Sequence, residues 1–272
     1  METIRTIRHD ITLDLNEVMY LTPVGDVHED ARAHHKKKFT ELLERRVALP
    51  NSYFISNGDL KEYIGPGDHR DVASIVRGDD DAWIDRDVER SIERYKPYNF
   101  LAIGEGNHES KATKACGTNP AERLAAGLGV PFGGYAYRLI LRLFDRSSNK
   151  GSRATCRILV NHGNWGGAVA KGLSGAINWA KGYPGWDIFI YGHNHASISD
   201  IWDREETQTS GRVYCGPQAI CANGTFLQGA TKKNTTYSAR GGYGPVFIGC
   251  PLITVQLKRN RIGIEIANGN IR

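Results

Sequence analysis

The chain has 272 residues, 40% of them apolar, and a formal net charge of +5. Such length and apolar content suit a single globular domain over residues 1–272, while the mild positive charge suits a phosphate-bearing substrate without requiring nucleic acid. Five cysteines, an odd number with no C-x-x-C pair, argue against a disulfide scaffold and against a thiolate metal site.

From the amino end, residues 1–16 mix charge with alternating Ile and Leu and read as a first strand. No apolar signal region and no run of about 18 apolar residues occurs, so a chain without a membrane span, cytoplasmic and with reduced thiols, is expected. An apolar β-prone run at 18–24 leads into Asp26-x-His28. A helix is expected from the basic stretch 32–38 to about Leu49, striped by Phe39, Leu42, Leu43 and Val47, with its lysines on a solvated face. A second short strand, 53–56, precedes Asp59. The segment at about 71–97 is then a helical insert, whose Val72, Ile75, Val76, Trp83, Ile84, Val88 and Ile92 supply one packing face; it is expected to cap the site.

Strands at 100–103, 157–160 and 188–191 lead in turn to Asn107-His108, His162 and His193-x-His195. Between the last two clusters lies a Gly-, Ala- and Lys-containing stretch, about 164–185, the length of a loop plus one helix. It reads either as a substrate lid or as an ordinary crossover helix. Trp165, Trp179, Tyr183 and Trp186 stack on a base under the first reading and fill the core under the second. The Gly-rich segment 224–249 is either a partner surface or a long loop before the final strands, 247–257 and 262–266.

Seven side chains able to bind metal thus fall in five short clusters, Asp26 and His28, Asp59, Asn107, His162, and His193 and His195, each just after a strand. Loops at the carboxyl ends of neighbouring strands meet in one crevice, so the pattern suggests a two-metal hydrolytic site. Singly, each residue has a plainer reading. Asp26 and Asp59 are ordinary turn formers, and His9, His34, His35 and His69 are read as satisfied structural histidines. Turn formation explains neither His28 nor the downstream histidines.

In order, Gly25-Asp26-Val27-His28, Gly58-Asp59, Gly106-Asn107-His108-Glu109, His162-Gly163 and Gly192-His193-Asn194-His195 resemble the calcineurin-like metallophosphoesterases over residues 25–195. The resemblance implies a four-layer α/β/β/α sandwich of two mixed sheets flanked by helices. It also implies one divalent metal on Asp26, His28, Asp59 and His195, a second on Asp59, Asn107, His162 and His193, and Asp59 as the bridge. Manganese is the first choice, with iron, zinc or nickel as alternatives. By the same resemblance His108 is the general acid and a metal-bridging hydroxide the nucleophile, while Glu109, next to His108 in sequence, orients either His108 or a ligand from behind. Asn164 and Trp165 are the candidate substrate contacts.

The protein phosphatases of this superfamily carry one Arg soon after the second Asp motif and another just before Gly-Asn-His. Here Leu60-Lys61-Glu62-Tyr63 follows Asp59, and Glu105 precedes Gly106. Loss of that bidentate grip on a dianion favours a phosphodiesterase over a phosphomonoesterase or protein phosphatase, although Lys61 or an Arg of the insert could compensate. A nuclease acting on DNA or RNA is the alternative, and a non-catalytic scaffold the least favoured reading. The expected partner is a phosphoester, small molecule or nucleic acid; oligomeric state is left open.

Overall fold

A computed structural model describes residues 4–63, 83–148, 151–165, 172–207, 211, 213–228, 247–259 and 261–268. Its strands are β1 (Arg5–Leu13), β2 (Val18–Val24), β3 (Ser52–Ser56), β4 (Phe100–Gly104), β5 (Phe132–Gly134), β6 (Ala136–Asp145), β7 (Ser152–Asn161), β8 (Ile188–Tyr191), β9 (Ser199–Thr207), β10 (Val213–Ala222), β11 (Leu252–Lys258) and β12 (Arg261–Ala267). Its helices are α1 (Lys36–Val47), α2 (Trp83–Tyr95), α3 (Asn107–Cys116), α4 (Pro120–Leu128) and α5 (Leu173–Lys181).

The strands form two six-stranded mixed sheets, ordered β1-β6-β7-β8-β10-β9 and β12-β11-β2-β3-β4-β5. Alternation explains how they stack. In β6, Tyr137, Leu139, Leu141 and Leu143 are buried, while Arg138 and Arg142 point away from the core. The inward rows of both sheets, among them Leu21, Ile55, Ile158, Ile190 and Val255, make one apolar layer between them. A second layer lies under α1, α2 and α4, on the outer face of the sheet containing β2 to β4. There Phe39, Leu42 and Leu43 of α1 meet Phe54, Tyr95 and Phe100. A third lies under α5, where Ala176 and Ala180 pack on Leu159, Phe189 and Tyr191. The result is the α/β/β/α order expected from the sequence, except that the outer layer over β7, β8 and β10 holds a single nine-residue helix among the described residues.

Several element boundaries differ from expectation. The helix expected from residue 32 starts at Lys36, because His34 Nδ1 donates to the Val27 carbonyl (3.0 Å) and the His35 ring accepts from the Lys38 amide. The last strands begin at Leu252, since Thr225 forms bridges with Ile248 and Gly249 instead of extending β11. The insert is helical from Trp83, with Ile84 and Val88 buried. Its earlier part, His69, the Gly166-Gly167 pair and residues 229–246 lie outside the described residues. All five cysteines are free thiols, and no described helix is long and apolar enough to cross a membrane.

Within each sheet the site-bearing strands run parallel: β2, β3 and β4 in one, β7, β8 and β10 in the other. Their carboxyl ends are Val24, Ser56, Gly104, Asn161, Tyr191 and Ala222, and every candidate ligand follows one of the first five. This register delivers the ligand loops to one edge of the sandwich.

Candidate metal centre

The loops that carry the ligands are tightly bent. Five of the seven candidate ligands have left-handed backbones, Asp26 (φ 47°), His28 (51°), Asp59 (52°), His193 (71°) and His195 (53°). Asp and His enter that region more readily than most residues, but such strain persists only where surrounding contacts enforce it, and it collects at functional sites. One enforcing contact is Gly58, whose φ of 97° faces the backbone of Glu105 and Gly106 so closely that any side chain there would collide. The Asp59 loop and the start of α3 are thereby pressed together.

The bent loops bring all seven predicted ligands together. Potential ligand atoms of Asp26, His28 and His195 lie within 4.8 Å of one another, as do those of Asp59, His162 and His193. The two sets meet at Asp59: His162 Nε2 lies 3.2 Å from Asp59 Oδ2 and 3.1 Å from Asn107 Oδ1, and His193 Nδ1 lies 2.8 Å from that same amide oxygen. On the other side, His28 Nε2 and His195 Nε2 face each other at 3.2 Å, and Asp26 Oδ1 is buried with no hydrogen-bond partner. Buried carboxylate oxygen and imidazole nitrogens converging in this way fit divalent transition metals, because a cation satisfies lone pairs that no donor reaches.

Supporting contacts fix the rings. His162 Nδ1 meets the Asn57 carbonyl at 2.8 Å, which leaves Nε2 for the centre. Asp26 is gripped through its backbone by the loop after β10, with Thr225 Oγ1 donating to its carbonyl at 2.8 Å, and its Oδ2 accepts from the His193 amide at 2.8 Å. The Glu109 carboxylate faces backbone amides. It accepts from those of Asp59, Leu60 and Gly106, each at 2.9 Å, and ties the Asp59 loop to the amino end of α3.

The residue beside His108 is Glu62, from the Leu60-Lys61-Glu62-Tyr63 stretch that follows Asp59. Its carboxylate spans two rings, 3.1 Å from His28 Nδ1 and 3.2 Å from His108 Nδ1, and its backbone carbonyl accepts from His108 Nδ1 at 2.6 Å. One side chain therefore orients both a candidate ligand and the candidate acid. Glu62→Gln is expected to lower turnover by ~10–100-fold, the usual cost of removing an outer-shell partner, with metal content assayed in parallel. Unchanged turnover would take Glu62 out of the machinery.

The electrostatics are strongly divided. Burial opposes protonation of His28, but the Glu62 carboxylate, with Asp59 and Asp26 behind it, outweighs this and pushes the ring up to about 10. His162 rises likewise to about 9, burial being outweighed by Asp59. Burial, with His28 adding, drops His195 to about 3, and burial also lowers His108 and His193. Asp26 is raised to about 6, first by burial and then by Asp59. Glu62 falls to about 2, because the charges of His28 and His108 overcome its burial.

The proposed substrate contacts separate. Asn164 is exposed. Trp165 turns into the layer under α5, its ring 5.8 Å from Trp179 and 6.3 Å from Phe189, while Trp179 stacks on Phe189 at 5.7 Å. Trp186 is buried in this layer, and Trp165, Trp179 and Tyr183 are partly buried against it. Lys61 is buried and paired with Asp87 of α2 at 3.2 Å, and Arg94 pairs with Glu29 at 2.5 Å, so neither supplies the missing phosphate grip in this arrangement.

No protein-family model matches the chain, and no curated protein matches it. Among solved structures, the chain is similar to a conserved uncharacterized protein, a predicted phosphoesterase, from Streptococcus pneumoniae TIGR4, at 12% identity and a TM-score of 0.36 over 93% of this chain and 90% of that one. It is also similar to a metallophosphoesterase from Sphaerobacter thermophilus (13%, 0.35, 92% and 88%) and to a Vps29 double mutant from Entamoeba histolytica (11%, 0.30, 93% and 100%). Scores this low add no weight to the geometry described above.

Proposed function

We propose that this chain is a calcineurin-like metallophosphoesterase, a hydrolase of phosphoester bonds that uses two divalent metal ions, and that its preferred substrates are diesters. The observation that carries the reading is the convergence of Asp26, His28, Asp59, Asn107, His162, His193 and His195 on one strand edge, five of them in strained backbone. Asp26, His28, Asp59 and His195 would hold one cation, and Asp59, Asn107, His162 and His193 the other. Manganese is the favoured ion. Two such cations supply Lewis acidity toward the phosphoryl oxygens and acidify water toward neutral pH.

The chain's own groups then divide the work. Asp59 would offer one oxygen to each cation, and its negative charge would offset their repulsion. Glu62 aligns His108 through Nδ1, which leaves Nε2 to pass a proton to the departing alkoxide. Preference for a diester is supported by the residues around the site. Lys61 and Arg94 are engaged elsewhere, which weakens the grip on a dianionic monoester, whereas a singly charged diester needs less.

Metal uptake should release protons. In the metal-free chain His28 titrates near 10 and His162 near 9, so at neutral pH both rings are protonated and each must lose a proton to become a ligand. Affinity is therefore expected to rise with pH, with protons released on metal uptake at pH 7. Calorimetric titrations in buffers of different ionisation enthalpy measure that release, and zero release would contradict the assignment.

Activity is tested by comparing bis-p-nitrophenyl phosphate with p-nitrophenyl phosphate, using manganese-loaded protein. Faster diester hydrolysis is expected. Preference for the monoester would move the reading to a phosphomonoesterase, and inactivity on both would contradict hydrolysis of simple esters.

A further inference from the structure

The outer side of β1, β6 and β7 carries a cluster of arginines that the metal centre does not use. Alternation puts Arg8, Arg138, Arg142 and Arg157 on the face turned away from the core, and the strand register gathers them around Ile140. Arg8 and Arg157 flank Ile140 on the neighbouring strands, while Arg138 and Arg142 stand two residues before and after it. Neighbouring positions on such a face are ~5–7 Å apart. Arg8 and Arg142 are exposed, and Arg138 and Arg157 half-buried. Their counter-charges are fewer. Arg142 donates to both oxygens of Asp10 at 2.6 Å, and Asp187 is shared by Arg157 at 3.0 Å and Arg204 at 2.9 Å. Arg138 lies over the Tyr183 ring at 5.9 Å, and Arg8 has no ion-pair partner among the described residues. Like charges side by side on a sheet repel, and an anion lying across them removes that repulsion.

The cluster begins close to the metal centre. Arg138 is three residues past Tyr135, ~10 Å along the chain. The Tyr135 carbonyl accepts from the His162 amide at 3.0 Å, and its ring stands 5.4 Å from that of His162. A small diester held at the metals would not reach these arginines. A chain of diesters would, with one phosphate at the metals and the next on guanidinium groups, whose planar forks match phosphate oxygens. The ligand loops sit at the strand ends and the arginines on the sheet face, so a molecule touching both must turn a corner. A duplex, stiff over ~150 base pairs, and a flat lipid surface do not make that turn, whereas a flexible strand does. We infer that the outer face of β1, β6 and β7 is a binding track for single-stranded nucleic acid, which leads its phosphodiester backbone to the metal centre. The inference rests on the diester reading above and names its substrate class.

The test is fluorescence anisotropy of labelled DNA and RNA oligonucleotides of one sequence with the full chain in EDTA, so that binding is read without cleavage. Affinity is expected to fall with salt, with a logarithmic slope of about −0.7 for each phosphate neutralised. Arg8→Ser and Arg138→Ser should each weaken binding and flatten that slope by ~0.7, and the double variant should do so by twice as much. Asp10→Asn, which frees Arg142, should tighten binding. Arg8 is exposed, so its variant carries the comparison if Arg138→Ser does not fold. All variants should hydrolyse bis-p-nitrophenyl phosphate as the wild type does. Tighter binding of either DNA or RNA supports the track and assigns the sugar. Unchanged salt slopes in the arginine variants would overturn it, as would tighter capture of a polyglutamate peptide or of phosphatidylserine vesicles through the same arginines; small-diester hydrolysis would then stand untouched. Strand binding by a manganese-loaded chain that hydrolyses no diester would instead overturn the metal-centre reading, and with it the strand's place as substrate.

Discussion

Asp59→Asn is expected to remove both metals and nearly all hydrolysis. The Asp59 carboxylate stands between the two ligand sets: Oδ2 faces His162 at 3.2 Å and His108 at 3.9 Å, and Oδ1 accepts from the His108 amide at 2.9 Å. It is held well below the usual carboxylate range because the charge of His162, and then that of His108, outweighs its complete burial. An amide in its place keeps the shape but loses the charge that offsets two cations, and it has only one oxygen to share. The loss should exceed the ~10–100-fold that follows removal of a supporting residue. Metal content by mass spectrometry and hydrolysis of bis-p-nitrophenyl phosphate check it together. Two metals retained in the variant would show that Asp59 does not bridge them.

His108→Ala is expected to leave both metals in place and to cut turnover by ~10²–10⁴-fold, the range for one positioned proton donor. The loss should be greatest for esters whose alkoxide leaves poorly and smaller for p-nitrophenolate, which departs without a proton. Structure gives this prediction two sides. His108 Nδ1 is committed to Glu62, as a proton carrier needs, yet His108 also groups with His28 and Asp59 closely enough to hold an ion. Burial lowers its pKa, so the resting ring at neutral pH is neutral, while the charge of Asp59, and after it that of Glu62, favours the protonated form. A drop in metal content in the variant would make His108 a ligand.

The seven ligand candidates were legible because each follows an apolar strand and most stand beside glycine, a local pattern that survives without knowledge of tertiary contacts. Glu62 was not. It lies three residues past Asp59 in an unremarkable polar stretch, and only the turn ending at Tyr63 (φ 44°), pinned by Asp30 through the Glu62 amide at 2.5 Å, returns its carboxylate to His28 and His108. Adjacency in sequence pointed to Glu109 as the partner of His108, but on a helix neighbouring side chains diverge, and Glu109 turns back to three backbone amides. The strand β6 at 136–145, paired with β7 so that Tyr137 lies opposite Val160, is not among the expected elements although its side chains alternate. By contrast, that one short helix would cover the outer face over β7, β8 and β10 depends on where α5 lands, which no local pattern states.

The most direct test of the central claim is anomalous diffraction from crystals grown with manganese. Two peaks about 3.5–4 Å apart are expected on either side of Asp59, one against Asp26, His28 and His195 and the other against Asn107, His162 and His193. A single peak, or peaks lying away from Asp59, would contradict the two-metal centre.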